Sequence, residues 1–268
     1  MVTRQEEKLI AEIDTRYTSN VKVKNKVWRI DAQDIQFKDL NTLLRMLDRH
    51  GAEKVEIHNV YGQRYIGTDL KTALKIDIQG TPGNDLGAFM NGPCITVHGN
   101  AQDCIANTMN EGQIVVHGRA GDITGYGMRG GKLFIRDDVG YRCGIHMKEY
   151  LDKKPLMVVG GIAQDFLGEY MAGGTLLVLG LSLKDGETYK ARYVGTGMHG
   201  GVLYIRGEVT NVGKEVKVTA ADQTDLAAIE CLVKEYCNHF NADLEQIMSK
   251  PFYKIAPASH RPYSRVYA

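Results

Sequence analysis

The sequence predicts an all-β core wound as a single-stranded right-handed parallel β-helix, a solenoid with N-terminal and C-terminal helical caps. Three observations predict it. A small residue is followed three places later by methionine, six times over; an alternating apolar pair follows each corner; and a glycine usually closes each pair. A fixed period of about 20 residues signals repeats that bury their faces only by stacking.

Residues 1–53 form an N-terminal segment with one clear element, a capping helix over 37–50. Phe37, Leu40, Leu44 and Leu47 fall on one face, and Gly51 stops it. Placed before the first coil, it covers the open end of the stack.

Residues 54–210 form the β-helix. Its corners are Gly87/Met90, Ala106/Met109, Gly125/Met128, Gly144/Met147, Gly168/Met171 and Gly195/Met198. The first four corners are 19 residues apart; the later steps of 24 and 27 contain insertions at 148–155 and 182–191. Glycine turns follow at Gly130-Gly131, Gly173-Gly174 and Gly200-Gly201, with Gly92 and Gly112 in related places. The strand pairs are Val55/Ile57, Ile76/Ile78, Ile95/Val97, Ile114/Val116, Leu133/Ile135, Leu156/Val158, Leu176/Val178 and Leu203/Ile205. Period-2 spacing puts both members of a pair on one face. Gly80, Gly99, Gly118, Gly160, Gly180 and Gly207 close the pairs, and Asn59 and Asp137 replace glycine twice. Both tolerate positive φ better than other side chains. The methionines are expected to fill the irregular space at the corners.

Residues 211–268 form C-terminal helices and an extended tail. Leu226, Ile229, Val233 and Tyr236 give 222–239 an apolar face, with Thr224 or Asp225 as cap. A short helix runs over 242–248, and the aromatic tail from Pro251 packs on the body or on a partner.

Composition excludes several function classes. A net charge of +1 argues against a nucleic-acid footprint. No run of 18 or more apolar residues calls for a membrane span, and the N-terminus has no apolar signal region. Five cysteines without C-x-x-C spacing fit a reducing cytoplasm.

Several motifs invite chemistry. Gly125-Tyr-Gly127-Met-Arg-Gly130 and Gly195-Thr-Gly197-Met-His-Gly200 match G-x-G-x-x-G, but a strand follows where a dinucleotide site needs a helix, so they read as coil corners. His98 and His117 occupy equivalent strand positions and are the weak metal candidates. The column otherwise holds Gln79 and Arg136, so a polar ladder is the favoured reading. Asp103 and Asp122 are equivalent, with Asp165 as a third; they suit either a catalytic cleft or turns that bond backbone N–H groups. No catalytic or cofactor-binding residue is assigned.

Residues 80–207 resemble the glycine-repeat (GXGXG) domain that closes the large, or alpha, subunit of glutamate synthase. The resemblance rests on Gly83-Asn-Asp-Leu-Gly-Ala-Phe89, Gly99-Asn-Ala-Gln-Asp-Cys104, Glu169-Tyr-Met-Ala-Gly-Gly174 with Leu177-Val-Leu-Gly180, Val194-Gly-Thr-Gly-Met-His-Gly-Gly201 and Phe252-Tyr-Lys-Ile-Ala-Pro257. It implies a stand-alone accessory subunit of an oxidoreductase of glutamate biosynthesis and nitrogen metabolism, with no active site of its own. The expected partners are an amidotransferase and an FMN-binding synthase, which would carry the FMN and iron–sulfur cluster; this chain would bind no cofactor. The C subunit of formylmethanofuran dehydrogenase shares the Gly-x-x-Met-x-Gly-Gly repeat and is the alternative. An independent β-helix enzyme and a homo-oligomeric scaffold are further readings.

Overall fold

The computed structural model describes residues 4–184 and 186–258. Helix α1 (Arg4–Glu12) and a 3-10 turn (Thr15–Asn20) lead into a hairpin of β1 (Val21–Lys24) and β2 (Val27–Asp31). Helix α2 (Phe37–Arg49) crosses to β3 (Lys54–Tyr61). Strands then recur as β4 (Lys75–Thr81), β5 (Asn91–His98), β6 (Glu111–Val116), β7 (Lys132–Ile135), β8 (Leu156–Val159), β9 (Ala172–Val178) and β10 (Gly200–Arg206). The chain continues through β11 (Val216–Ala220), α3 (Gln223–Phe240), α4 (Leu244–Met248) and β12 (Phe252–Pro257).

From β2 to β10 each strand pairs in parallel with the next in sequence, the order that a coil winding produces. The ladder thus starts at Val27, ahead of the boundary expected at residue 54. Antiparallel strands close it: β1 on β2, β12 on β10, and β11 on β12. These strands cover ladder edges that would otherwise offer unpaired N–H and C=O groups.

Inside, Val97 pairs with Val116 and Val116 with Ile135, all fully buried in one apolar cluster. Burying each such side chain stabilises by about 1.5–3 kcal/mol. One expected pair is displaced. Leu133 pairs with Met157 and Ile135 with Val159, so Met157 and Val159 face inward while Leu156 and Val158 face out. The apolar run Leu156–Val159 carries no alternation, and a one-residue slip exchanges the faces. Gly161, not Gly160, accordingly takes the closing place.

The corner methionines Met90, Met109, Met128, Met147, Met171 and Met198 are all buried in the same interior cluster as the strand pairs. Each donates its N–H to the carbonyl three residues back: Met90 to Gly87, Met109 to Ala106, Met128 to Gly125, Met147 to Gly144, Met171 to Gly168 and Met198 to Gly195, at 3.0–3.2 Å. Three of them also reach under the glycine turns: a Cβ at Gly112 would meet Met90 Cε, one at Gly131 Met109 Cε, and one at Gly201 Met171 Cε.

Ile123, Gly125 and Gly127 show why the corner repeats. All three have positive φ, of 58°, 75° and 57°. Their N–H groups bond alternately to the following coil (Tyr141 O, 2.8 Å), the preceding coil (Ile105 O, 2.8 Å) and the following coil again (Ile145 O, 2.9 Å). The middle residue faces the interior. A Cβ at Gly87 would stand 2.9 Å from Met90 Sδ and closer still to Ile114, so glycine fits there without displacing them; one coil onward the same place holds the small residue Ala106. The flanking positions point outward and hold large residues such as Phe89, Arg142 and Tyr170. Gly67 with Leu70 is a further corner of the same kind, with leucine in place of methionine.

Helix α2 buries Leu40, Leu43, Leu44 and Leu47 in the interior cluster, while Phe37 is half-buried beside Tyr65. Helix α3 lies on the outer face of the sheet, where Ile229, Val233 and Tyr236 meet Phe134, Val158, Leu177 and Tyr204. The outward column reads Arg29, Glu56, Asp77, Thr96, then Val115, Phe134, Val158, Leu177, Tyr204, and turns apolar at the coils in the α3 cluster. Asp222 caps α3 in a reciprocal box with Asp225, in place of the expected Thr224 or Asp225, and Leu226 is exposed. The tail beyond residue 258 lies outside the described residues.

Candidate functional site

The residues named from the repeat belong to the core. Met109, Met147 and Met171 have no exposed surface and Met198 only 2%, so their thioethers can meet neither ligand nor partner. Gly131, Gly144, Gly174 and Gly201 serve the turns, with φ between 72° and 86°. Any site must therefore lie on the outer faces of the coils.

Those faces carry the polar residues singled out by sequence. Asp103 Oδ1 accepts the Asp122 N–H at 2.9 Å, and Asp122 Oδ1 accepts the Tyr141 N–H at 2.8 Å. Asp165 accepts from both the N–H (2.8 Å) and the guanidinium (2.9 Å) of Arg192, which hold its carboxyl below the usual range. Asp138 bonds Ile162 N–H in the same manner. Each carboxylate binds backbone one coil onward, so these aspartates are rivets between coils. The groove-enzyme reading, which needs them free in a cleft, fails on this geometry.

His98 and His117 stack at 5.3 Å with 15° between planes, and Phe240 meets His117 edge-on at 5.1 Å. Burial pushes the His117 imidazole below its ordinary pKa, helped by the neighbouring His98. Among the described residues no group of three or more His, Cys, Asp or Glu side chains is placed to hold a metal ion. His239, which sequence reasoning did not single out, accepts from Gln113 Nε2 at 2.9 Å and lies 4.8 Å from the Phe134 ring. The +126 separation of His239 from Gln113 gave no local signal.

Glu169, within the most distinctive sequence piece, is 7% exposed and ion-paired with Arg142, whose guanidinium covers Phe166 at 4.5 Å. Phe166 in turn stacks on Tyr193 at 4.9 Å. Insertion 148–155 reaches back through Lys153 to Glu111 at 2.7 Å. Insertion 182–191 is anchored by buried Tyr189, whose hydroxyl donates to Ala163 O at 2.9 Å. All five cysteines are free. Among the described residues no helix is long and apolar enough to cross a membrane.

The strand order and interior column define the fold as a right-handed parallel β-helix. Its sequence from residue 39 to 258 matches the GXGXG motif family, and the chain belongs to that family. The uncharacterized protein MJ1350 of Methanocaldococcus jannaschii is 48% identical over 248 residues, covering 89% of this chain and 95% of that one. A solved structure, the formyltransferase/hydrolase complex (FhcABCD) from Methylorubrum extorquens with methylofuran, contains a chain of similar fold. Its TM-score is 0.55 at 17% identity, covering 86% of this chain and 96% of the other.

Proposed function

We propose that this chain is a structural, accessory subunit of a glutamate synthase-type oxidoreductase complex, with no catalytic step of its own. The observation that carries this reading is that its aligned carboxylates are committed to bonds between coils. The GXGXG match over most of the chain supports the glutamate synthase assignment. The amidotransferase and FMN-binding synthase functions, with FMN and the iron–sulfur cluster, would reside on cytoplasmic partner subunits. A second reading, a C subunit-like β-helix of a formylmethanofuran dehydrogenase-type complex, is favoured by the fold match to the formyltransferase/hydrolase complex.

The test is native affinity purification of the tagged full chain from its own cells. Co-purification of a protein with flavin and iron–sulfur absorbance supports the first reading. A formyltransferase-containing assembly supports the second. Recovery of the chain alone, or only as a homo-oligomer by sedimentation, would overturn both.

A further inference from the structure

The corners that turn methionine inward also build a groove outside. Two residues past each corner residue, Phe89, Thr108, Gly127, His146, Tyr170 and Gly197 form one column, all with positive φ. Four residues past it stand Asn110, Arg129, Lys148, Ala172 and His199, each N–H bonded to the methionine carbonyl of the coil before at 2.8–3.0 Å. A cavity of about 450 Å³ lies along these columns, lined among others by Tyr126, Arg129, His146, Lys148, Tyr170 and His199.

Two features of this groove point to a ligand. Arg129 Nε is buried without a hydrogen-bond partner, while the partly exposed guanidinium lines the groove and lies 5.8 Å from the Tyr150 ring. A buried donor without an acceptor is costly, more so on a cation. The carboxylates of neighbouring coils are committed elsewhere: Glu111 to Lys153, Glu169 to Arg142, and Glu149 to the Gly174 N–H. Arg129 and Lys148 therefore have no carboxylate partner among the described residues. Secondly, the outer column has a gap. His146 and Tyr170 stack at 5.3 Å with 11° between planes, but the next place in the column is Gly127. Its chain neighbours apart, a Cβ there would meet only Thr108 Oγ1, at 3.5 Å, and Tyr126 meets the His146 ring edge-on at 5.9 Å rather than stacking on it.

We propose that this groove binds a small molecule carrying a phosphate or carboxylate beside a planar ring. The ring fills the place over Gly127 and continues the His146–Tyr170 stack. The anionic group lies against Arg129 and Lys148, which stand on adjacent coils roughly 4.8 Å apart. The glycine motif at 125–130 thus contributes a vacant position and a cation rather than a helix N-terminus. This binding role goes beyond the accessory role proposed above and does not depend on it.

Isothermal titration of the full chain with adenosine monophosphate, nicotinate, inorganic phosphate and an Asp/Glu-rich peptide tests the proposal. Adenosine monophosphate or nicotinate, according to the anion the site prefers, binds more tightly than inorganic phosphate. That affinity falls roughly tenfold or more in Arg129→Gln and in Lys148→Gln. Gly127→Tyr abolishes it while keeping the fold by circular dichroism, since tyrosine already occupies the equivalent place at Tyr170 with φ 53°. Absence of binding by both ring compounds up to roughly 10 mM overturns the proposal. So does affinity unchanged in the folded variants. Binding of the acidic peptide alone also overturns it, in favour of a partner segment.

Discussion

The Tyr236 hydroxyl donates to the carbonyl of Arg136 at 2.9 Å, joining residues 100 positions apart and passing close over Gly160. A Cβ at Gly160 would collide with that hydroxyl. Tyr236→Phe is therefore expected to cost about 1 kcal/mol, the net worth of one hydrogen bond. Gly160→Ala costs more, roughly 2–3 kcal/mol, by lifting α3 from the sheet. Urea unfolding of both variants checks the order.

The corner interior sets a size limit. Met128 is fully buried, so Met128→Ala should destabilise by roughly 2–5 kcal/mol and Met128→Leu by less than about 1.5. Gly125, at φ 75°, sits where Ala106 stands one coil earlier at φ 58°. A Cβ at Gly125 would also collide with the methyl of fully buried Met157, so Gly125→Ala should cost roughly 2–3 kcal/mol and Gly125→Val more. Thermal denaturation separates these cases.

Asp225 is a hub: it accepts from Tyr204 Oη at 2.7 Å and Lys254 Nζ at 2.8 Å, and closes the α3 capping box. Burial alone would raise its pKa, but hydrogen bonds from Lys254, Tyr204 and Asp222 outweigh it and hold the carboxyl below its ordinary value. The folded state then binds the proton less readily than the unfolded one. This stabilisation is complete above the unfolded value near pH 4 and is lost as pH falls through the folded value. Asp225→Asn should cost roughly 1–3 kcal/mol at neutral pH, with the deficit shrinking below about pH 4. Urea unfolding of both proteins across that pH range checks it.

His117 and His239 are both depressed, chiefly by burial. Each takes up a proton less readily when folded than when unfolded, so the unfolded chain binds more protons as pH falls from about 6.5. Stability should decline over that range, and protonation of His239 removes the acceptor that Gln113 uses. His239→Gln should flatten the dependence of Tm on pH; an unchanged slope contradicts this.

Burial pushes the Cys143 thiol up to about 12, and its Sγ lies 3.3 Å from Met157 Sδ. Cys94 and Cys231 are exposed. A disulfide-exchange reagent should titrate these two first in native protein and Cys143 only after unfolding.

The stack was legible because its signals are local: the glycine-to-methionine step and the alternating pairs each lie within a few residues. Met109, Met147, Met171 and Met198 stand at the corners as interior filling, which leaves the outer surface to other residues. Errors fell where local signals vanish. The run Leu156–Val159 is apolar throughout, so only pairing with Leu133 and Ile135 fixes which face is inside. Gly67/Leu70 escaped because leucine replaces the marker methionine. The antiparallel closure by β12 follows from packing across distant segments, which periodicity does not carry. For the site, the aspartate column was visible, but its bonds to the next coil were not. The groove at Arg129 emerges only when equivalent positions of successive corners are brought side by side.

The central claim is that successive coils pile their aliphatic side chains into one interior column. Methyl-selective NMR on the full chain tests it at Val97, Val116 and Ile135. The account predicts strong methyl cross-peaks between Val97 and Val116 and between Val116 and Ile135. None should join Val97 to Ile135 directly, since their strands lie roughly 10 Å apart. Missing neighbour cross-peaks, or a direct Val97–Ile135 contact, would contradict the coil stack.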